Sequence, residues 1–130
     1  MRLTEAVAQR LMTEAGTFAL IGTRVYPGIL PQDETLPAVA YTRISAIEDL
    51  AADGPTGLLT VRVQIDAYAA DYDASRAVGD AIRAALHGWQ DDASGVQFCA
   101  LIPPGEQDLR EDEAQSSRVS ADYLVSGTEE

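Results

Sequence analysis

Lysine is missing from this chain, and cysteine and histidine occur once each, as Cys99 and His87. A lone cysteine excludes an intramolecular disulfide and any cysteine-based metal cluster. With a single histidine, a zinc or non-haem iron site would have to be dominated by carboxylates. No apolar run approaches the roughly 20 residues that a membrane-spanning helix requires. Residues 1–12 (MRLTEAVAQRLM) carry neither an apolar signal core nor a small-residue cleavage site, so synthesis and residence in a cytoplasm are expected. Nine arginines face 21 acidic residues, a formal net charge of −12. Sequence-independent phosphate binding needs clustered cations, and the balance argues strongly against that function class. The first meaning of the charge is a soluble acidic surface.

At 130 residues and 46% apolar content the chain reads as a single domain, long enough to bury roughly two thirds of its unfolded surface. The most legible stretch is 57–89. Val61, Val63, Ile65 and Ala67 alternate with Thr60, Arg62, Gln64, Asp66 and Tyr68, the pattern of a strand with one buried face. After Tyr68 the period becomes helical, with Ala74, Ala77, Val78, Ala81, Ile82, Ala85, Leu86 and Trp89 on one stripe and Asp73, Arg76, Asp80 and Arg83 opposite. Asp71 or Asp73 is placed to cap the first turn and Gly88 to end the helix in a left-handed conformation.

The remainder reads in order as follows. Residues 3–14 form a short amphipathic helix on Leu3, Val7 and Leu11, stopped at Gly16, with a further turn over 17–21. Residues 25–37, punctuated by Pro27, Gly28, Pro31 and Pro37, are an extended connection. A strand over 38–47 leads into a polar loop at 48–56, longer than a tight hairpin needs. A strand over 96–102 ends at Pro103, Pro104 and Gly105. The acidic stretch 106–115 reads as a solvated loop. The last strand spans 116–125, with Val119, Ala121, Tyr123 and Val125 on one face, and the tail 127–130 is expected to fray. The expected fold is α+β: an antiparallel sheet of about four strands with two main helices on one face, in the order α-β-β-α-β-β.

Chemistry is hard to find in these residues. His87 reads as a helix C-terminal residue that complements the dipole. Cys99, inside an apolar strand, reads as a buried inert thiol. The run DLAADG at 49–54 lacks the ligand alternation and closing glutamate of a calcium loop. No GxGxxG or P-loop is present, and Ser45, Ser116 and Ser117 have no base beside them. The expectation is a protein with no catalytic, cofactor-binding or metal-binding residues, and not an enzyme.

Several segments, taken together and in order, resemble the tail completion family of tailed bacteriophages and prophages: RVYPGILPQ at 24–32, LPAVAYTRIS at 36–45, GPTGL at 54–58, RVQIDAYA at 62–69 and the strand ending ADYLV at 121–125. The resemblance implies a structural subunit at the head-proximal end of a phage tail, similar to tail terminators that cap the tube and join it to the head connector. It implies a ring of identical copies, commonly six, contacting the tail tube protein and the connector, with DNA passing through without sequence-specific binding. No membrane and no cofactor is implied. The protein would be in the bacterial host cytoplasm during assembly and in the virion tail afterwards. On this reading, carboxylates of 48–53 and 106–113 would line a passage that repels phosphates. Subunits would pair through a sheet edge, offered by a final strand that ends the chain, or through a helix face with the 48–56 loop. Arg62 and Gln64 are candidate contacts. The rival reading is a small α+β module that binds a ligand or peptide, or an enzyme with a carboxylate-based site.

Overall fold

Val61, Val63, Ile65 and Ala67 are all buried, while Arg62, Gln64 and Tyr68 between them stay half-exposed. Their strand is the middle of the sheet in a computed structural model that describes residues 2–31, 34–111 and 116–129. The strands in chain order are β1 (Val25–Pro27), β2 (Ala38–Ala51), β3 (Gly54–Ala69), β4 (Val96–Glu111) and β5 (Ser116–Thr128). They lie side by side as β1-β2-β3-β5-β4. β1 runs parallel to β2; every other neighbouring pair is antiparallel.

Helices α1 (Leu3–Thr13), α2 (Ala15–Ile21) and α3 (Tyr72–Leu86) supply the rest of the core. Leu3, Val7 and Leu11 of α1 and Val78, Ile82 and Leu86 of α3 join Val61, Val63, Ile65, Val119, Tyr123 and Val125 in one apolar cluster. Each such side chain contributes about 1.5–3 kcal/mol through burial. Arg10 ties the two long helices together: its Nε donates to the Ala85 carbonyl at 3.1 Å and its guanidinium lies 5.6 Å from the centre of the Trp89 ring. Helix α3 begins where Asp71 accepts the Ala74 N–H at 2.8 Å, and Gly88 follows it with φ of 83°, as the sequence indicates. Within α3, Gly79 lets the helix lie close: a Cβ there would sit 3.0 Å from Val119 Cγ1 and 3.1 Å from Glu106 Oε2.

The α+β class and the helices on one sheet face agree with expectation, but the sheet is mixed and five-stranded, and the element order is α-α-β-β-β-α-β-β. The extra strand, β1, falls in the segment expected to be only a connection; three residues ending at Pro27 are too few to show alternation. Gly16 does not stop the first helix. It lies inside α2, and the break is at Glu14, whose extended backbone (φ −71°, ψ 129°) separates the two helices. The expected 48–56 loop is strand: β2 and β3 pair to Ala51↔Gly54, leaving a two-residue turn. β4 likewise continues past Pro103 and Gly105, through a register shift between Leu101 and Glu106, and pairs Glu106–Glu111 with β5. The acidic stretch is therefore strand as far as residue 111, and its remainder, 112–115, lies outside the described residues.

The expected fraying also does not occur at 127–129. β5 reaches Thr128, and the Glu129 carboxylate accepts both the Leu3 N–H (3.2 Å) and Arg43 Nη1 (2.7 Å). Burial opposes the charge on Glu129, but these two donors outweigh it and hold the carboxyl below its ordinary value. A lowered folded-state pKa contributes stability that is complete above the ordinary carboxylate range and is lost as pH falls through the lowered value. Glu129→Gln should therefore cost about 1 kcal/mol at neutral pH and less at an acid pH below the ordinary carboxylate range. Urea melts of both proteins at the two pH values measure this.

Candidate functional site

Cys99 and His87, remote in sequence, are neighbours through the backbone: Gly88 N–H donates to the Cys99 carbonyl at 2.7 Å, and Leu101 N–H donates to His87 Nδ1 at 3.1 Å. They do not form a nucleophile and base. The imidazole lone pair is engaged by a backbone N–H, and burial pushes the Cys99 thiol up to about 12. His87 is the C-cap residue of α3, at the helix end where the sequence puts it, and its Nδ1 also accepts the Leu101 N–H and so closes part of the β4 edge.

Among the described residues no group of three or more His, Cys, Asp or Glu side chains is arranged to hold a metal ion. No helix among the described residues is long and apolar enough to cross a membrane. An open concavity of about 460 Å³ lies between the start of α1 and the β1–β2 edge, with Arg2, Glu5, Pro27, Tyr41 and Arg43 in its wall. It carries one carboxylate and two arginines. General acid–base catalysis by paired carboxylates needs two such groups in mutual reach. The carboxylates that do converge elsewhere are paired with arginine: Arg76 reaches Asp80 (2.9 Å), Asp108 (3.1 Å) and Glu106 (3.4 Å), and Arg83 reaches Glu106 (3.4 Å). This cluster binds α3 to β4.

What the molecule presents instead is surface, and three parts stand out. The first is the sheet face away from the helices. Arg62 Nε donates to Asp122 at 2.9 Å, Gln64 donates to Ser120 at 3.1 Å, and Arg118 lies 5.7 Å from the centre of the Tyr68 ring. Arg62 and Gln64, the two candidate contacts, are thus on this face, each already partnered within the subunit. The face is close to electroneutral in a strongly acidic chain.

The second part is an arm. The β3–β5 ladder begins at Leu58↔Thr128, so the β2–β3 hairpin beyond it has no further strand beside it. Together with the free edge of β2 that leads to it, this arm carries Ile44, Ile47 and Leu50, which are 47%, 68% and 72% exposed, alongside Glu48, Asp49 and Asp53, with Arg43 next to Ile44. Exposed apolar residues gathered on a projecting element mark an interaction site. The third part is the outer edge of β4, where Phe98 and Leu109 are also exposed. β5 is an interior strand, so the sheet edge expected from the final strand is supplied by β4 instead.

Residues 5–125 match the family described as tail completion protein gp17. The chain belongs to that family. The resemblance read from 24–32, 36–45, 54–58 and 62–69 is therefore correct, and it extends over most of the chain. No match is found among curated protein sequences. The fold is similar to that of a chain in the virion of a native gene transfer agent particle, with a TM-score of 0.75 at 20% identity, covering 96% of this chain and 93% of that one. Arm, sheet face and β4 edge are then the surfaces of a tail completion protein. Residues 38–47 read as strand and 48–56 as a candidate contact loop; the continuation of the strand to Ala51 is hidden in sequence because its apolar residues are three apart, and β2 has register shifts between Arg43 and Ser45 and between Glu48 and Leu50, which break the alternation.

Proposed function

We propose that this tail completion protein is a structural virion component that closes the end of a tail tube and joins it to the head connector, acting as a ring of identical copies through which DNA passes. The observation that carries the reading is the pairing of family membership with a molecule whose distinguishing features are surfaces and no converging reactive side chains. Support also comes from the likeness in fold to a chain of a gene transfer agent virion. Catalysis, a cofactor and a metal have no place in this function, which rests on contacts with further copies, the tube protein and the connector. Assembly takes place in the host cytoplasm and the product resides in the virion tail. The arm carboxylates Glu48, Asp49 and Asp53 suit a passage wall that repels phosphate. The ligand-binding and enzymatic readings lose ground because the 460 Å³ concavity holds a single carboxylate.

Electron microscopy of the concentrated protein, alone and mixed with purified tail tubes, tests this. Rings with a central opening, or caps at one tube end, are the expected result. A monomer at all concentrations that also leaves tube ends bare would overturn the proposal.

A further inference from the structure

The two outer edges of the sheet are covered over only part of their length. β1 pairs with β2 along Val39–Tyr41, and Gly28 adds one more bond to the Tyr41 carbonyl at 2.8 Å. Past that point, residues 42–51 have β3 on one side and, among the described residues, no backbone partner on the other. On the far edge the first part of β4 is sealed. Val96 exchanges two 2.9 Å bonds with Asp91, the Cys99 carbonyl takes the Gly88 N–H, and the Leu101 N–H is held by His87. Residues 106–111 pair inward with β5 and, among the described residues, have no outward backbone bond.

We infer that the arm of one copy adds to the open part of β4 in the next, residues 42–51 of the first forming a ladder with residues 106–111 of the second. This rests on the ring reading and specifies its contact. Strand direction is the first support. Three antiparallel steps separate β2 from β4, so the two run in opposite senses, and copies set side by side in one orientation continue the sheet as an antiparallel ladder. Each copy gives one edge and receives at the other, the heterologous arrangement that closes into rings.

Extent is the second support. The free span of β2 is long enough to cover the open span of β4, and the sealed part of β4 leaves one place to dock. Register links Val39 to Ala67, Ala67 to Val119 and Val119 to Asp108, which puts the arm and the open span at opposite ends of the sheet. Neighbours are therefore staggered along the strands by roughly 30 Å, as strand tilt permits in a closed sheet. Charge is the third. Glu106 and Asp108 are each held by an arginine of α3, which offsets part of their repulsion of the arm carboxylates, while Ile47 and Leu50 meet Leu109, itself 37% exposed.

Cysteine pairs test the contact. Ile47→Cys is combined with Leu109→Cys, and separately with Gln107→Cys, and the protein is oxidised at high concentration. Within one subunit these positions are separated by two intervening strands, about 14 Å across the sheet, and by roughly 30 Å along it, beyond disulfide reach, and Cys99 is buried. The expected result is a ladder of covalent multimers from either double variant, a covalent dimer from a mixture of the single variants, and no multimers from any single variant alone. Oligomers in sedimentation without a ladder would overturn the edge contact and leave the ring reading standing. A monomer in sedimentation would overturn the edge contact as well, and tube caps in the microscopy above would then decide the ring reading separately.

Discussion

Gly127→Ala should lower the melting temperature by about 10 °C or more, a loss on the order of 3 kcal/mol, although it adds a single methyl group. Gly127 lies on β5 opposite both Leu59 and Val96, where the 88–95 segment folds back over the sheet. A Cβ at this position would overlap the Gly95 carbonyl oxygen and come within 3.0 Å of its carbonyl carbon and 3.2 Å of Leu3 Cδ2. Backbone cannot yield as a side-chain tip can. The Gly95 carbonyl accepts the Thr128 N–H at 3.0 Å, so moving it breaks the bond that holds the end of β5. Gly95 is constrained from the other side, with φ of 80° and a Cβ that would lie 2.6 Å from the Thr128 carbonyl oxygen. Gly16→Ala is the control. Gly16 lies in α2 with nothing within 4 Å of an added Cβ, and alanine there should raise stability by up to about 1 kcal/mol. Thermal or denaturant unfolding of the two variants measures both effects, and equal destabilisation would refute the close-packing account of Gly127.

How far the fold could be read from sequence depended on whether one residue pattern governed a whole element. From Val61 to Ala67 alternation is unbroken because one face meets α1 and α3 and the other stays polar, and α3 keeps a helical stripe because its face packs on the same sheet. Where two influences compete, the pattern fades. The arm has no core to face, so nothing in its sequence need alternate; only backbone pairing with β3 makes it strand. In β4, Pro103 and Gly105 read as an end, yet pairing with β5 resumes at Glu106 because Arg76 and Arg83 on α3 fix the carboxylates on that side. The place of His87 at the end of α3 was legible, but its contact with β4 was not, since the Leu101 N–H that it accepts belongs to an edge visible only once the strand order is known. The tail was misread for a similar reason: Glu129 looks like an ordinary acidic terminus until Leu3 and Arg43 are beside it.

The arm gives the second large effect, on assembly and not on folding. Ile47→Asp combined with Leu50→Asp should leave the melting temperature within about 4 °C of the parent, because surface substitutions away from a core change stability by no more than about 0.5 kcal/mol each. Ile47 and Leu50 are 68% and 72% exposed and take no part in the apolar cluster. In an assembled ring the same two side chains would be removed from water, each contributing about 1.5–3 kcal/mol, so their loss weakens each contact by at least about 3 kcal/mol, more than a hundredfold in the association constant. Two added carboxylates beside Glu48, Asp49 and Asp53 penalise the contact further, and raising the salt concentration should recover only that electrostatic share. Sedimentation across a concentration and salt series, with unfolding melts of the same samples, separates the two effects. Unchanged assembly would show that the arm stays in solvent and that the copies meet elsewhere, whereas lost assembly with a matching loss of melting temperature would mean that Ile47 and Leu50 support the fold itself. Only weakened assembly with an intact fold fits an arm whose apolar residues are held in reserve for a neighbour.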